Sequence, residues 1–176
     1  QQDSMGVREA GWIQLHAEDN QEASDLHIQA FKIAEQTFLP TMVCMDGFIL
    51  THAYEPVDVP EQKEVDDFLP AFQPRHIVDP RWPRGIGLFA DPRFYMETRY
   101  ILHRALEKSV ETIKEVSADF AKVFGRESGG FIKTYKADNA DVVIVSMGSV
   151  VGTIKELIDQ LEEEGKKVGL LQICSY

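Results

Sequence analysis

The 176-residue sequence is 44% hydrophobic and carries 29 Asp and Glu against 18 Lys and Arg, for a formal net charge of −11. That length allows one substantial core or parts of two domains, and so acidic a surface argues against a nucleic-acid binder, which needs cations to displace phosphate counterions. No apolar run approaches the ~18 residues of a membrane span, and the first residues lack the layout of a signal peptide, so a chain that is neither exported nor membrane-embedded is expected.

Gly11 to His16 has the form of a buried strand, followed by a polar loop, Ala17 to Asp19. Leu26, Ala30, Ile33 and Ala34 then recur at helical spacing, which predicts a helix over about Gln21 to Thr37 with Asp19 or Asn20 as N-cap and Pro40 as stop. The apolar run TMVCMDG that follows has strand length and ends in Asp46-Gly47, where glycine suits a turn. Strand, helix, strand is a right-handed crossover unit, so the loop after His16 and the loop Asp46 to His52 should lie side by side at the carboxyl ends of two parallel strands.

Seven of the eight prolines fall between Glu55 and Pro92, a density of missing amide donors that excludes a continuous sheet. Only a short helix, about Glu61 to Phe68, is predicted there. The remainder is a long irregular segment of the kind that serves as a functional loop or as an arm over another domain or subunit, and its Phe72, Trp82 and Phe89 need something to pack against. Tyr95, Leu102, Leu106, Ile113 and Phe120 then fit one long helix or two collinear ones, with Gly125 as the stop. The last stretch predicts a short strand (FIKTY), a buried strand over Val142 to Met147, a glycine-containing turn, a helix over about Thr153 to Glu164 and a final strand. Its near-continuous apolar runs are those of parallel strands covered on both faces. Cys44 and Cys174, 130 positions apart in strand-like segments, are expected to be buried free thiols in a reducing cytoplasm rather than ligands of a metal or an iron–sulfur cluster.

Three features invite a chemical reading. Arg8, just before the first strand, is a cation that can grip a carboxylate with two parallel hydrogen bonds; a surface or salt-bridged arginine is the plain alternative. Gln21 and Glu22 in the first helical turn, and Asp46, Thr51 and His52 in the neighbouring loop, should face one crevice, with capping and loop polarity as their plain reading. The turn Gly148-Ser-Val-Val-Gly152 has neither the dinucleotide fingerprint nor the lysine of a P-loop and reads as a structural turn. The five histidines, 16, 27, 52, 76 and 103, show no paired metal-ligand spacing, and the acids Asp159, Glu162, Glu163 and Glu164 read as a solvated helix face.

Taken in order, the segments DSMGVREAGW, NQEASD, LPTMVCMDGF, LTH, FGRESGG, ADNADVVIVSMGS and GKKVGLL closely resemble the alpha-subunit part of the pyruvate:ferredoxin oxidoreductase family, thiamine-diphosphate-dependent 2-oxoacid:acceptor oxidoreductases. The resemblance covers essentially the whole chain. It implies an α/β fold in which residues 1–54 are the end of the thiamine-pyrimidine domain, 55–125 a Pro-rich connecting arm and long helix, and 126–176 the start of a transketolase C-terminal-like domain. It implies oxidation of pyruvate with coenzyme A to acetyl-CoA and carbon dioxide, using thiamine diphosphate with Mg and iron–sulfur clusters of the full complex, and passing electrons to ferredoxin or flavodoxin through other subunits of an oligomeric assembly. On the same resemblance Arg8 is the arginine that binds the substrate carboxylate. The family's pyrimidine-activating glutamate belongs to a segment before the residues matching Gln1, so an internal fragment is expected, inactive and without bound cofactor on its own. A branched-chain 2-oxoacid or oxalate is an alternative substrate within the family. A non-catalytic nucleotide-binding or interaction module built on the Gly148 turn is the alternative outside it.

Overall fold

In the computed structural model, which describes residues 2–87 and 89–176, the chain is a mixed α/β molecule with two sheets and one long helix. A five-residue helix, α1 (Gln2–Gly6), precedes strand β1 (Ile13–His16). The first strand is shorter than its apolar pattern suggests. Residues 7–11 form turns, and Gly11 takes a φ of 92° against the Leu102 side chain, where a Cβ would sit 2.7 Å from Leu102 Cδ2.

Helix α2 (Asn20–Thr37) starts from Asp19, whose side chain accepts from Glu22 N, and ends at Phe38 in the left-handed region. β2 (Thr41–Cys44) then pairs parallel to β1, with Ile13 opposite Thr41 and His16 opposite Cys44. The crossover is therefore the one its pattern predicts. In the turn after β2 the positive φ falls on Phe48 (79°) and not on Gly47, so the strained position of that loop is an aromatic residue. A one-turn helix α3 (Ile49–His52) follows, and then α4 (Gln62–Phe68).

A 3-10 turn at Pro92–Phe94 leads into α5 (Tyr95–Phe124), a single 30-residue helix stopped by Gly125 at φ 70°. Its second half carries Ser109, Ile113, Val116 and Phe120 into the core. Tyr95, predicted to belong to the same stripe, is exposed because the first turns of the helix extend beyond the body. One core joins Ile13, Leu15, Leu26, Ile33, Leu50, Phe68, Ile113, Val116 and Phe120, so α4 and the second half of α5 pack with β1 and α2. Phe68 meets the Phe120 ring edge-on at 5.7 Å, the favourable geometry for an aromatic pair.

The second sheet holds β3 (Ile132–Tyr135), β4 (Val142–Ser146) and β5 (Val168–Ile173) in the order β3-β5-β4, with β3 antiparallel and β4 parallel to β5. Helix α6 (Val150–Glu163) covers one face through Val151 and Ile158 against Leu170. It begins three residues earlier than its pattern predicts, which places Gly152 inside its first turn, so the connection is only Met147-Gly148-Ser149. The apolar run of β4 predicts cover on both faces; instead Val143 and Val145, on the face opposite Ile144 and α6, are exposed because no second layer among the described residues lies over them, and Val142 is exposed at the start of the strand.

The residues after β5 tie the two sheets together. Gln14 N donates to Tyr176 O, Tyr176 N to Gln14 O, and His16 N to Cys174 O, so β1 is paired by β2 and by 174–176. Strand pairing puts partners on one face, so His16 stands in a row with Cys44 and Cys174. Both cysteines are free; Cys174 is buried as expected, whereas Cys44 is half-buried at the strand's end. No helix among the described residues is long and apolar enough to cross a membrane.

Candidate functional site

The carboxyl ends of β1 and β2 meet as predicted, with Ala17 N donating to Cys44 O at 3.0 Å. Around them gather the amino end of α2, residues 46–58 and, from the second sheet, Lys133 and the start of α6. Glu22 sits at the centre and is buried. Its Oε2 accepts from Glu18 N at 2.8 Å, and its Oε1 accepts from Gly129 N at 2.9 Å and from Lys133 Nζ at 2.7 Å. Glu18 in turn accepts from Lys155 Nζ of α6 at 2.7 Å.

Burial pulls the Lys133 pKa down, but the charge and hydrogen bond of Glu22, with smaller help from Cys174 and Glu18, outweigh it and raise it overall. A second network runs beside the first. Arg126 forks onto Asp25 at 2.7 and 2.9 Å and reaches Asp58 at 2.9 Å, while Gln21 exchanges hydrogen bonds with the Asp58 backbone. Gln21 and Glu22 therefore lie beside the carboxyl ends of β1 and β2, with their polar atoms spent on joining elements.

In the neighbouring loop, the Ser149 hydroxyl donates to Asp46 Oδ2. Thr51 Oγ1 accepts from Phe48 N at 2.9 Å and lies 3.0 Å from His52 Nδ1, whose ring packs on Phe48. Thr51 and His52 are exposed. Nothing in the sequence marks Lys133, Lys155 or Arg126 as partners of these acids, and Ser149 stands there only as part of the Gly148 turn. The only local signal was a lone lysine in the apolar strand FIKTY; their partners lie about a hundred residues away.

Arg8 stands apart from this group. It precedes the amino end of β1, whereas the other candidates follow its carboxyl end. Its Nη1 donates to Met5 O at 2.9 Å, and Nη2 lies 3.7 Å from Glu9 Oε1. It borders a mostly apolar cavity of about 530 Å³ walled by Trp12, Ile13, Leu106, Ile113, Ile132 and Ile173. An arginine at the mouth of such a cavity suits a ligand with a carboxylate and an apolar body.

These residues do not fit a bound diphosphate. Of the two helix amino ends at the crevice, α2 is capped by Asp19, with Glu22 N committed to it. The Gly148-Ser149 turn before α6 faces the Asp46 carboxylate. A phosphate at either place would meet like charge instead of free amides. That disfavours a nucleotide site at the Gly148 turn as well. No group of three or more His, Cys, Asp or Glu among the described residues is arranged to hold a metal.

A family model described as pyruvate flavodoxin/ferredoxin oxidoreductase, thiamine diphosphate-binding, matches residues 1–118, and one described as pyruvate:ferredoxin oxidoreductase core domain II matches residues 140–176. The chain is 46% identical over 175 residues to pyruvate synthase subunit PorA of Methanothermobacter thermautotrophicus, covering 98% of this chain and 45% of that protein. It is 49% identical over 179 residues to the subunit of the same name from Methanocaldococcus jannaschii, covering 99% and 46%. To the ketoisovalerate oxidoreductase subunit VorA of Pyrococcus horikoshii it is 41% identical over 174 residues, covering 98% and 44%. The chain thus spans less than half the length of these relatives.

Proposed function

Since the chain belongs to the thiamine-diphosphate-binding family of pyruvate flavodoxin/ferredoxin oxidoreductases, we propose that it forms part of the alpha subunit of an enzyme that converts pyruvate and coenzyme A to acetyl-CoA and carbon dioxide. Two electrons leave through iron–sulfur clusters of other subunits to ferredoxin or flavodoxin. The observation that carries this reading is the collinear match of both family models along one chain, joined to 46% identity with a pyruvate synthase subunit over nearly all of it. Thiamine diphosphate and its Mg would supply the electron sink for decarboxylation and would be held by residues other than those at the crevice.

Within this chain the part nearest the chemistry is Arg8, which holds the substrate carboxylate. The Glu22–Lys133 and Arg126–Asp25 networks fix the frame that carries it. A second reading, a branched 2-oxoacid as substrate, is favoured by the 41% identity to a ketoisovalerate oxidoreductase subunit and by the apolar cavity beside Arg8. The two free thiols suit a reducing cytoplasm.

The test is ferredoxin reduction by the assembled complex, with pyruvate and 2-oxoisovalerate compared at equal coenzyme A. Pyruvate should win on kcat/KM. Replacing Arg8 with Leu should cost roughly 2 to 5 kcal/mol in kcat/KM, and Arg8→Lys should recover only part of it, because a lysine keeps the charge and loses the fork. An unchanged kcat/KM for the Leu variant would end the case for Arg8, and a complex inert towards both acids would end the proposal.

A further inference from the structure

Residues 7–11, Val-Arg-Glu-Ala-Gly, carry Arg8 between α1 and β1 in a run of turns, and residues 7–10 are exposed. The flanks of this segment are pinned, since Gln14 Nε2 donates to Ser4 O at 2.8 Å and Ile13 N to Pro40 O at 2.9 Å. Its middle closes mostly on itself: Val7 N donates to Ser4 O, Arg8 N to Met5 O at 3.4 Å and Ala10 N to Val7 O. Turns of that kind are loose, and a planar guanidinium grips a carboxylate with two parallel bonds only while its base is held.

Helix α5 supplies the hold. Arg99 Nη2 donates to Glu9 O at 2.5 Å, from 90 residues away. One turn further along, Leu102 packs against Gly11, whose φ of 92° leaves room for that side chain and for no Cβ. Arg99, Leu102, His103 and Leu106 are spaced i, i+3, i+4 and i+7, so they share one face of the helix. His103 and Leu106 wall the cavity whose mouth Arg8 borders. The far end of the same helix is fixed, because Ile113, Val116 and Phe120 lie in one core with Leu26 and Phe68. Arg99 stands about 21 Å up the rod from Ile113. The helix is thus a strut that starts in the core and ends on the backbone beside Arg8.

The same contacts leave the Arg8 side chain usable. Its Nη1 is taken by Met5 O at 2.9 Å, whereas Nη2 has Glu9 Oε1 at 3.7 Å, beyond hydrogen-bond reach. The edge made by Nε and Nη2 therefore meets no short acceptor among the described residues. Arg99 holds Glu9 by its carbonyl and not by its carboxylate, so the Glu9 side chain, 83% exposed, can swing aside for an arriving anion.

On the reading of Arg8 as the residue that binds the substrate carboxylate, we propose that Arg99 is its positioning residue, fixing the backbone from which the guanidinium reaches a 2-oxoacid. The test is ferredoxin reduction at varied pyruvate by the assembled complex with its full-length subunit. Arg99→Met keeps an unbranched stem and loses the donors; it should raise KM about three- to tenfold and change kcat less than about twofold, since it disturbs capture and not bond breaking. Arg99→Lys restores a donor and should recover most of that loss. In the Arg8→Leu background Arg99→Met should cost nothing further, because both residues serve one contact. Amide hydrogen exchange over residues 7–11 should quicken in Arg99→Met, while the melting temperature of the complex moves by less than about 2 °C. A KM indifferent to Arg99→Met overturns the proposal, as does a loss confined to kcat or to the melting temperature, or a second full loss in the Arg8→Leu background; each leaves Arg8 its role. An Arg8→Leu complex with the parent's KM overturns both that role and the proposal.

Discussion

Glu22 shows what a buried carboxylate does when each of its oxygens is taken. Two backbone amides and the Lys133 ammonium saturate it, and through Lys133, Glu18 and Lys155 it joins α2 to β3 and α6. Replacing it with Gln leaves Lys133 only the more distant Glu18 carboxylate, 3.7 Å away, as counter-charge in a half-buried site, and should cost roughly 3 kcal/mol. Adding Lys133→Met to that variant should recover much of the loss, which urea denaturation of the chain would measure as a rise in midpoint at unchanged slope. His16 makes a second residue-scale case. It is fully buried, neither ring nitrogen has a hydrogen-bond partner among the described residues, and burial lowers its pKa. An unfolded chain would take up a proton near pH 6.5 that the native one refuses, so this contribution is intact above pH 6.5 and stability falls as the pH drops below it. Comparing urea midpoints at about pH 7.5 and 5.5, the His16→Gln variant should lose less stability than the parent chain. Equal losses would mean that carboxylates alone set the acid limb.

At the scale of elements, what the sequence discloses and what it conceals divide along one line. Local periodicity is a property of neighbouring residues, so α2, α4, the full length of α5 and both parallel crossovers follow from the spacing of Leu26, Ile33, Ile113 and Phe120 and from the apolar runs at 41–44 and 142–145. Glycine was a poorer guide. Gly125 does stop α5, but Gly152 lies inside α6 and Gly47 hands the positive φ to Phe48, because a helix with a packed face and a pinned loop both override a residue's own preference. Burial was legible only where this chain supplies both layers. β1, with Gln14 and His16 among its four residues, is covered on both faces, whereas β4, the more apolar of the two, exposes three valines. The candidate site was legible as a place, the carboxyl ends of β1 and β2, and illegible as a set of contacts. Nothing near Glu22 in the sequence announces Gly129 or Lys133, and Arg8, the residue with the most specific chemistry, falls at the other end of the strand.

The whole molecule is held as one by a short splice. Residues 174–176 leave the second sheet and pair with β1 of the first, adding backbone hydrogen bonds at Gln14 and His16 to the ion pairs of Glu18 and Glu22. A chain ending at Ile173 should keep α6 on its sheet but leave that flank of β1 unpaired. Its urea transition should broaden or split, as expected when two regions cease to unfold together. A single transition of unchanged slope would show that the ion pairs alone couple the halves.

That splice also sets an order of events. β1 is separated from its second partner by a long stretch, for Leu15 meets Ser175 some 160 positions later. Helix α2 and β2 can form around it at once, because their contacts are local and inexpensive in loop entropy, but one side of β1 stays open until residues 174–176 reach it. During that interval the chain carries an unpaired strand edge whose side chains, Ile13 and Leu15, are apolar, the kind of surface that recruits the wrong strand. The chain's acidity then has a kinetic meaning: like charge keeps unfinished copies apart while each waits for its own residues 174–176.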